Sequence, residues 1–263
     1  MTAVPPAAHP FVCLHREGRR ASLEIARPPL NVLDAVTLGQ LEAALDGLAG
    51  ADAPHLLFVR GAGDRAFSAG VAVEDHTPER VEPAVRTFHR VLLALERLPA
   101  VTVAVVRGYC LGGGMELAAA CDLVVAAADA RFGQPEIRLG CFPPFAAAAY
   151  PALLGPKVAA EILLTGRPLG AEEAHRLGFV NRLAPPAELA AAADALADEL
   201  LAHSGAVLAL TKRALRTGDD ATTFERALTA CERLYFEELV ATDDMNEGIA
   251  AFLEKRPPNW RHR

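Results

Sequence analysis

The chain has 263 residues, 52% of them hydrophobic, which is enough for one large domain with a full core and no covalent staples. A formal charge of −7 excludes the basic face that a nucleic-acid surface needs, and no block of like charge marks a tail or a membrane patch. Five scattered cysteines (Cys13, Cys110, Cys121, Cys141 and Cys231), odd in number and never spaced C-x-x-C, fit reduced thiols in the cytoplasm better than a disulfide frame or a zinc site.

Residues 1–10 are rich in Pro and Ala and lack the basic start and apolar run of a signal peptide, so they read as a loose lead-in. Apolar runs at 11–14 and 23–26 predict strands, and Pro28-Pro29 a turn. Leu38, Leu41, Leu45 and Leu48 step by three or four, the stripe of a helix. Residues 55–60 predict a buried strand running into Gly61-Ala62-Gly63, with irregular backbone over 64–75. Val81, Val85, Phe88, Leu92 and Leu95 predict a second helix, with Thr77 as its cap and Pro78 at its first position. The β-branched run 101–106 predicts a strand that enters the turn Gly112-Gly113-Gly114 and a helix over 115–121, after which 123–125 returns as a strand.

This alternation predicts an α/β core with parallel strands. The longest apolar stretch, 141–154, holds Pro143, Pro144 and Pro151 and cannot be a membrane span. Beyond Pro143 the pattern is nearly all helical: Phe224, Leu228, Cys231, Tyr235 and Leu239 form one stripe, and Ile249, Phe252 and Leu253 another. The reading divides the chain into an α/β core, 1–200, and a helical region, 201–263, whose wide apolar stripes suit packing on a neighbouring copy.

The segment GYCLGGGMELAAACD, 108–122, carries the most chemistry. Consecutive glycines allow a close backbone approach, and the N–H of Gly113 would lie free at a helix start, a favourable place for an oxygen that gains negative charge. The alternative is a tight turn packed for its own sake. A second donor could be the N–H of Val71, in the small-residue loop AFSAGVAVEDH. Glu116 falls one turn into the glycine-started helix and Glu136 follows 20 residues later in RFGQPEIRLG. Two carboxylates on one cavity can divide acid and base roles, whereas the plain alternative has Glu116 capping or salt-bridged and Glu136 solvated. Gly61-Ala62-Gly63-Asp64-Arg65-Ala66 loosely fits a nicotinamide-binding turn, but no helical pattern follows it. Cys110 and Cys141 read as buried small residues, and His76 and His89 lack metal-ligand spacing.

Taken together, GYCLGGGMELAAACDLVVAA, RFGQPEIRLG, GAGDRAFSAG and ATDDMNEGIAAFLEKRPP resemble the crotonase (enoyl-CoA hydratase/isomerase) superfamily, in its order and spacing from about residue 11 to 258. The resemblance implies a core of repeated ββα units with a C-terminal helical trimerisation region, trimers that often pair into hexamers, and an acyl-CoA substrate with no required cofactor or metal. It assigns the oxyanion donors to Val71 and Gly113, and places Ala69, Gly70, Ala72, Val73, Gly112 and Pro143 around the substrate. Glu116 and Glu136 would bracket a water, Glu116 mainly as base and Glu136 mainly as acid, with sharing or reversal left open. Phe252 and Lys255 match positions that reach the nucleotide end of CoA.

The segments RPPLNVLD, AFSAG with DHTPE, and GCFPP resemble the cyclohexa-1,5-dienecarbonyl-CoA hydratases within that family. Two departures stand out. Pro144 falls where most hydratases have a glycine whose N–H serves the water, and Ala72 falls where an acidic residue is usual. The implied activity is reversible hydration of an α,β-unsaturated or dienoyl thioester. The alternatives are an isomerase, a decarboxylase, a thioester hydrolase or a non-catalytic CoA-binding protein.

Overall fold

The computed structural model describes residues 10–48, 50, 53–77, 79–218 and 221–260. The N-terminal lead-in, but for Pro10, and Pro78 therefore lie outside the described residues. Strands β1 (Val12–Glu17) and β2 (Arg20–Ile25) pair antiparallel across a tight turn at Gly18, whose φ of 56° suits glycine. Helix α1 (Ala35–Asp46) buries Leu38, Leu41 and Leu45 and is capped by Asp34, whose Oδ1 accepts from the Thr37 N–H at 2.9 Å.

A strand–strand–helix unit then recurs. The first copy is β3 (Leu56–Gly61), β4 (Ala66–Ser68) and α2 (Val81–Arg97). The second is β5 (Val101–Val106), β6 (Tyr109–Leu111) and α3 (Gly113–Ala119). The third is β7 (Leu123–Ala127), β8 (Arg131–Gly133) and, after a 3-10 turn over Pro135–Leu139, α4 (Pro144–Leu154). Each unit gives its long strand to one sheet and its short strand to another. The chain continues through α5 (Pro156–Thr165), β9 (Leu169–Gly170), α6 (Ala171–Arg176) and β10 (Arg182–Ala184). The large sheet has the order β1-β2-β3-β5-β7-β10, parallel from β2 onward, and the small one β4-β6-β8-β9, parallel over its first three strands.

Both faces of the large sheet are covered, which is why its central strands read as unbroken apolar runs. Leu57 and Val59 point into the main core, whereas Leu56 and Phe58 point the other way, towards α7 (Leu189–Leu201). The helices α8 (Gly205–Gly218), α9 (Ala221–Arg233) and α10 (Asp243–Leu253) follow. A π-helical turn, Leu234–Glu238, continues α9. Leu228 enters the main core, and Tyr235, Met245 and Ile249 form a smaller apolar cluster with Val81, Val85 and Cys141. At Gly248 and Gly140 there is no room for a side chain, because α10 lies directly on the 3-10 turn over Pro135–Leu139.

Several expectations need correction. The segment 64–75 is not wholly irregular, since Ala66–Ser68 forms β4 and Val73–Asp75 a 3-10 turn. Thr77 is not the cap of α2: the helix begins at Val81, with Arg80 in the cap position, and Thr77 contributes its carbonyl to the Arg80 and Val81 N–H groups. The helix expected over 115–121 begins two residues earlier, at Gly113, and ends at Ala119. Strands β6, β8, β9 and β10 are too short to show a periodicity of their own.

Candidate active site

The three segments that carry candidate chemistry follow three neighbouring parallel strands. Ala69-Gly70-Val71 leaves β4, Gly112-Gly113 leaves β6, and Gln134-Pro135-Glu136 leaves β8. Register sets Ser68 beside Cys110, and Leu111 beside Gly133, so the three exits lie abreast. The carboxyl edge of a parallel sheet is a common place for a ligand site, because successive loops converge there.

Contacts bind these loops tightly. A Cβ on Gly70 would sit 2.9 Å from the Gly113 nitrogen, and one on Gly112 would sit 2.6 Å from Glu136 Oε1. Gly70 has φ 92° and Gly112 φ 53°, so neither position tolerates a side chain on backbone or steric grounds. Gly114 must also be bare, because the Ser68 carbonyl lies against it. The β4 exit is pinned by Ser68, whose hydroxyl donates to Asn31 O at 2.7 Å and accepts from the Gly70 N–H at 3.1 Å.

Both candidate donors are free of the backbone ladders. Val71 bridges Leu33 in parallel, using the Gly70 carbonyl (2.9 Å) and the Ala72 N–H (3.3 Å). In that pattern the N–H of Val71 itself points to the other side. Gly113 is the first residue of α3, ahead of the first intrahelical bonds, in which Met115 and Glu116 donate to Gly112 O at 2.8 and 3.1 Å.

Glu116 is almost fully buried, at 4% exposure, and faces the start of α4. Its Oε1 accepts from the Ala146 N–H at 2.8 Å, and the Phe145 N–H also points at the carboxylate. Helix α4 begins Pro143-Pro144, so it has no capping side chain of its own and Glu116 supplies the missing acceptor. Burial pushes the Glu116 carboxyl up to about 6, while His89 and the two N–H groups pull the other way. Glu136 is held well above the usual carboxylate range, first by burial and then by repulsion from Glu116. The two groups therefore share one interior. Gln134 supports Glu136. With its amide turned to satisfy both neighbours, the oxygen accepts from Tyr150 Oη at 2.7 Å and the nitrogen lies 3.1 Å from each Glu136 oxygen.

The other expected residues are placed as follows. Ala69 donates its N–H to Leu30 O (2.9 Å), Ala72 is buried, and Val73 opens the 3-10 turn and packs against the apolar cluster that holds Cys141 and Tyr235. Pro143 caps α4. Phe252 and Lys255 stand at the exposed end of α10, outside the hydrogen bonds that join the central groups. Cys110 and Cys141 are buried thiols pushed upward by burial. Two surface hollows, one along α9 and one between α1 and α2, include neither glutamate. Among the described residues no group of three or more His, Cys, Asp or Glu is placed to hold a metal ion.

Three neighbours of the glutamates carried no sequence signal. Gln134 lies in RFGQPEIRLG and Tyr150 in the apolar stretch 141–154, and His89 Nδ1 meets Glu232 Oε1 at 2.6 Å across 143 positions of sequence. Only the fold makes these pairs.

Comparisons with known proteins identify the family. The family model described as "Enoyl-CoA hydratase/isomerase" matches residues 18–263. A cyclohexa-1,5-dienecarbonyl-CoA hydratase of Thauera aromatica is 38% identical over 253 residues, covering 96% of each chain. A crotonyl-CoA hydratase of Syntrophomonas wolfei is 34% identical over 96% of this chain and 98% of its own. Among solved structures, an enoyl-CoA hydratase from Mycobacterium avium subsp. paratuberculosis superposes with a TM-score of 0.85 at 28% identity, covering 95% of this chain and 98% of that one. With nearly its whole length matched, the chain belongs to the enoyl-CoA hydratase/isomerase family, the crotonase family its motifs resemble, and is an enoyl-CoA hydratase-like enzyme.

Proposed function

We propose that the protein hydrates an α,β-unsaturated or dienoyl-CoA thioester reversibly, with the Val71 and Gly113 N–H groups holding the thioester oxygen and Glu116 and Glu136 moving the protons. The supporting observation is the convergence of the three strand exits, where a side chain on Gly70 would run into the Gly113 nitrogen and one on Gly112 into the Glu136 carboxylate. The atoms balance without an added reagent. Water oxygen bonds to the distal alkene carbon, and its proton passes to the ionised Glu116. The π electrons move through the enolate, and the α-carbon takes a proton from the neutral Glu136. Glu136, raised by burial and by the Glu116 charge, suits the acid, and Glu116, pushed up to about 6 with N–H groups of α4 favouring its ionised form, suits the base.

In this reading Ala69, Gly70, Ala72, Val73, Gly112 and Pro143 line the acyl and pantetheine path, and Phe252 and Lys255 meet the nucleotide end of CoA. Residues 1–200 form the catalytic core, and 201–263 carry the contacts of a trimer or a pair of trimers. Five free cysteines fit a reducing cytoplasmic setting.

Glu116→Gln and Glu136→Gln each keep the shape and remove the proton chemistry. Each should lower hydration turnover by about a hundredfold or more. Product mass is the readout, since hydration alone adds the mass of water and so separates this reaction from isomerisation, decarboxylation and thioester hydrolysis. Near-normal hydration by either variant would overturn the assignment.

A further inference from the structure

Tyr235 is 1% exposed, yet its hydroxyl has no hydrogen-bond partner of good geometry among the described residues. A buried hydroxyl left unpaired is costly, so one that persists calls for a reason. Its ring is held firmly. Phe142 packs edge-on at 5.4 Å and Phe236 at 5.7 Å, and Val81, Val85, Met245 and Ile249 share the same apolar cluster. The residue rides on the π-helical turn Leu234–Glu238, a rare local geometry that often accompanies function.

The hydroxyl lies beside the Cys141 thiol and within the electrostatic reach of both Glu136 and Glu116. The thiol is a weak partner and is itself turned to Glu136 O at 3.4 Å.

The same region is short of donors. Pro143 and Pro144 have no N–H, and the next two N–H groups of α4, from Phe145 and Ala146, are taken by Glu116. A water between the two glutamates thus finds acceptors on ionised Glu116 but no donor from the start of α4. A tyrosine hydroxyl can donate to such an oxygen and accept from it.

We propose that the Tyr235 hydroxyl is a third polar group of the reaction site, holding the water that adds to the distal alkene carbon and receiving the product hydroxyl in the reverse direction. This rests on the hydratase reading above. It gives the C-terminal region a direct part in the chemistry of its own chain, delivered by the turn after α9.

Tyr235→Phe in the full-length protein tests it. The substitution removes an oxygen with no partner beyond the weak Cys141 thiol among the described residues, so the thermal midpoint should hold or rise. Hydration kcat for crotonyl-CoA or a cyclic dienoyl-CoA should fall about 10- to 100-fold. Affinity for butyryl-CoA, a saturated thioester that needs no water, should stay at the wild-type value. Wild-type turnover by the variant would overturn the role, as would a loss of activity matched by a lower midpoint or weaker butyryl-CoA binding. A wild-type enzyme inert towards every unsaturated thioester tried would instead sink the hydratase reading, and this role with it.

Discussion

Two carboxyl groups in one low-dielectric interior cannot both ionise cheaply, and their surroundings decide which one does. Glu116 has N–H groups at the start of α4 and His89 nearby to favour its charge, whereas Glu136 faces the Glu116 charge itself. Activity should accordingly rise with pH through about 6 as Glu116 ionises, and fall at higher pH as Glu136 gives up its proton. The same shift acts on stability. A carboxyl raised from 4.5 to about 6 keeps its proton longer in the native than in the unfolded chain. Its contribution is therefore full below pH 4.5 and is lost as pH rises to about 6, a change of about 2 kcal/mol. Glu116→Gln cannot ionise, so urea unfolding at pH 4.5 and pH 7 should show that part of the pH dependence gone. An unchanged dependence would mean that burial does not raise the Glu116 carboxyl as far as its surroundings imply.

Among the elements, α8 is tied to the core by one buried cation. Lys212 Nζ meets Asp122 Oδ2 at 2.7 Å and donates to Leu95 O at 3.2 Å and Ala100 O at 3.0 Å, just past the end of α2. Asp122 also accepts from the Thr102 N–H and hydroxyl, at 2.8 and 2.9 Å, joining β5 to the end of the glycine-rich motif. Removing Lys212 takes a buried ammonium away from Asp122 and takes that donor from the Leu95 and Ala100 carbonyls. Lys212→Ala should cost about 3–5 kcal/mol in chemical denaturation and leave the glutamates in place. A loss no larger than that of an exposed ion pair would show that water reaches Asp122 readily. The motif's aspartate is thus structural, while its glycines and glutamate belong to the candidate site. A sequence pattern carries both kinds of residue without marking which is which.

Across the whole molecule, the chain leaves large apolar side chains exposed on α5, α8 and α10, among them Leu164, Val207, Leu210, Leu215, Phe252 and Leu253. A second or third copy would cover such groups at little polar cost. Sedimentation equilibrium should give three or six times the 27.8 kDa of one chain, and a concentration-independent single-chain mass would refute this. No helix among the described residues is long and apolar enough to cross a membrane.

Much of this was legible in the order of residues alone. Periodicity located α1 and α2, a buried apolar run located β3, a β-branched run located β5, and consecutive glycines marked the start of α3, because these signals are local and repeat within one turn or one strand. Four motifs in register marked the family, and Glu116 and Glu136 stood out within them. The short strands β4, β6 and β8 carry no period of their own, yet their parallel register is what brings Val71, Gly113 and Glu136 abreast. The cap that Glu116 places on α4, the Gln134–Tyr150 support and the unpaired Tyr235 hydroxyl all arise between segments 16 to 119 positions apart. Sequence by itself determined which residues could do chemistry, because residue type and local pattern fix that. Only tertiary structure decided which of them share a desolvated interior, because charge, burial and hydrogen bonding there depend on neighbours that the chain order does not name.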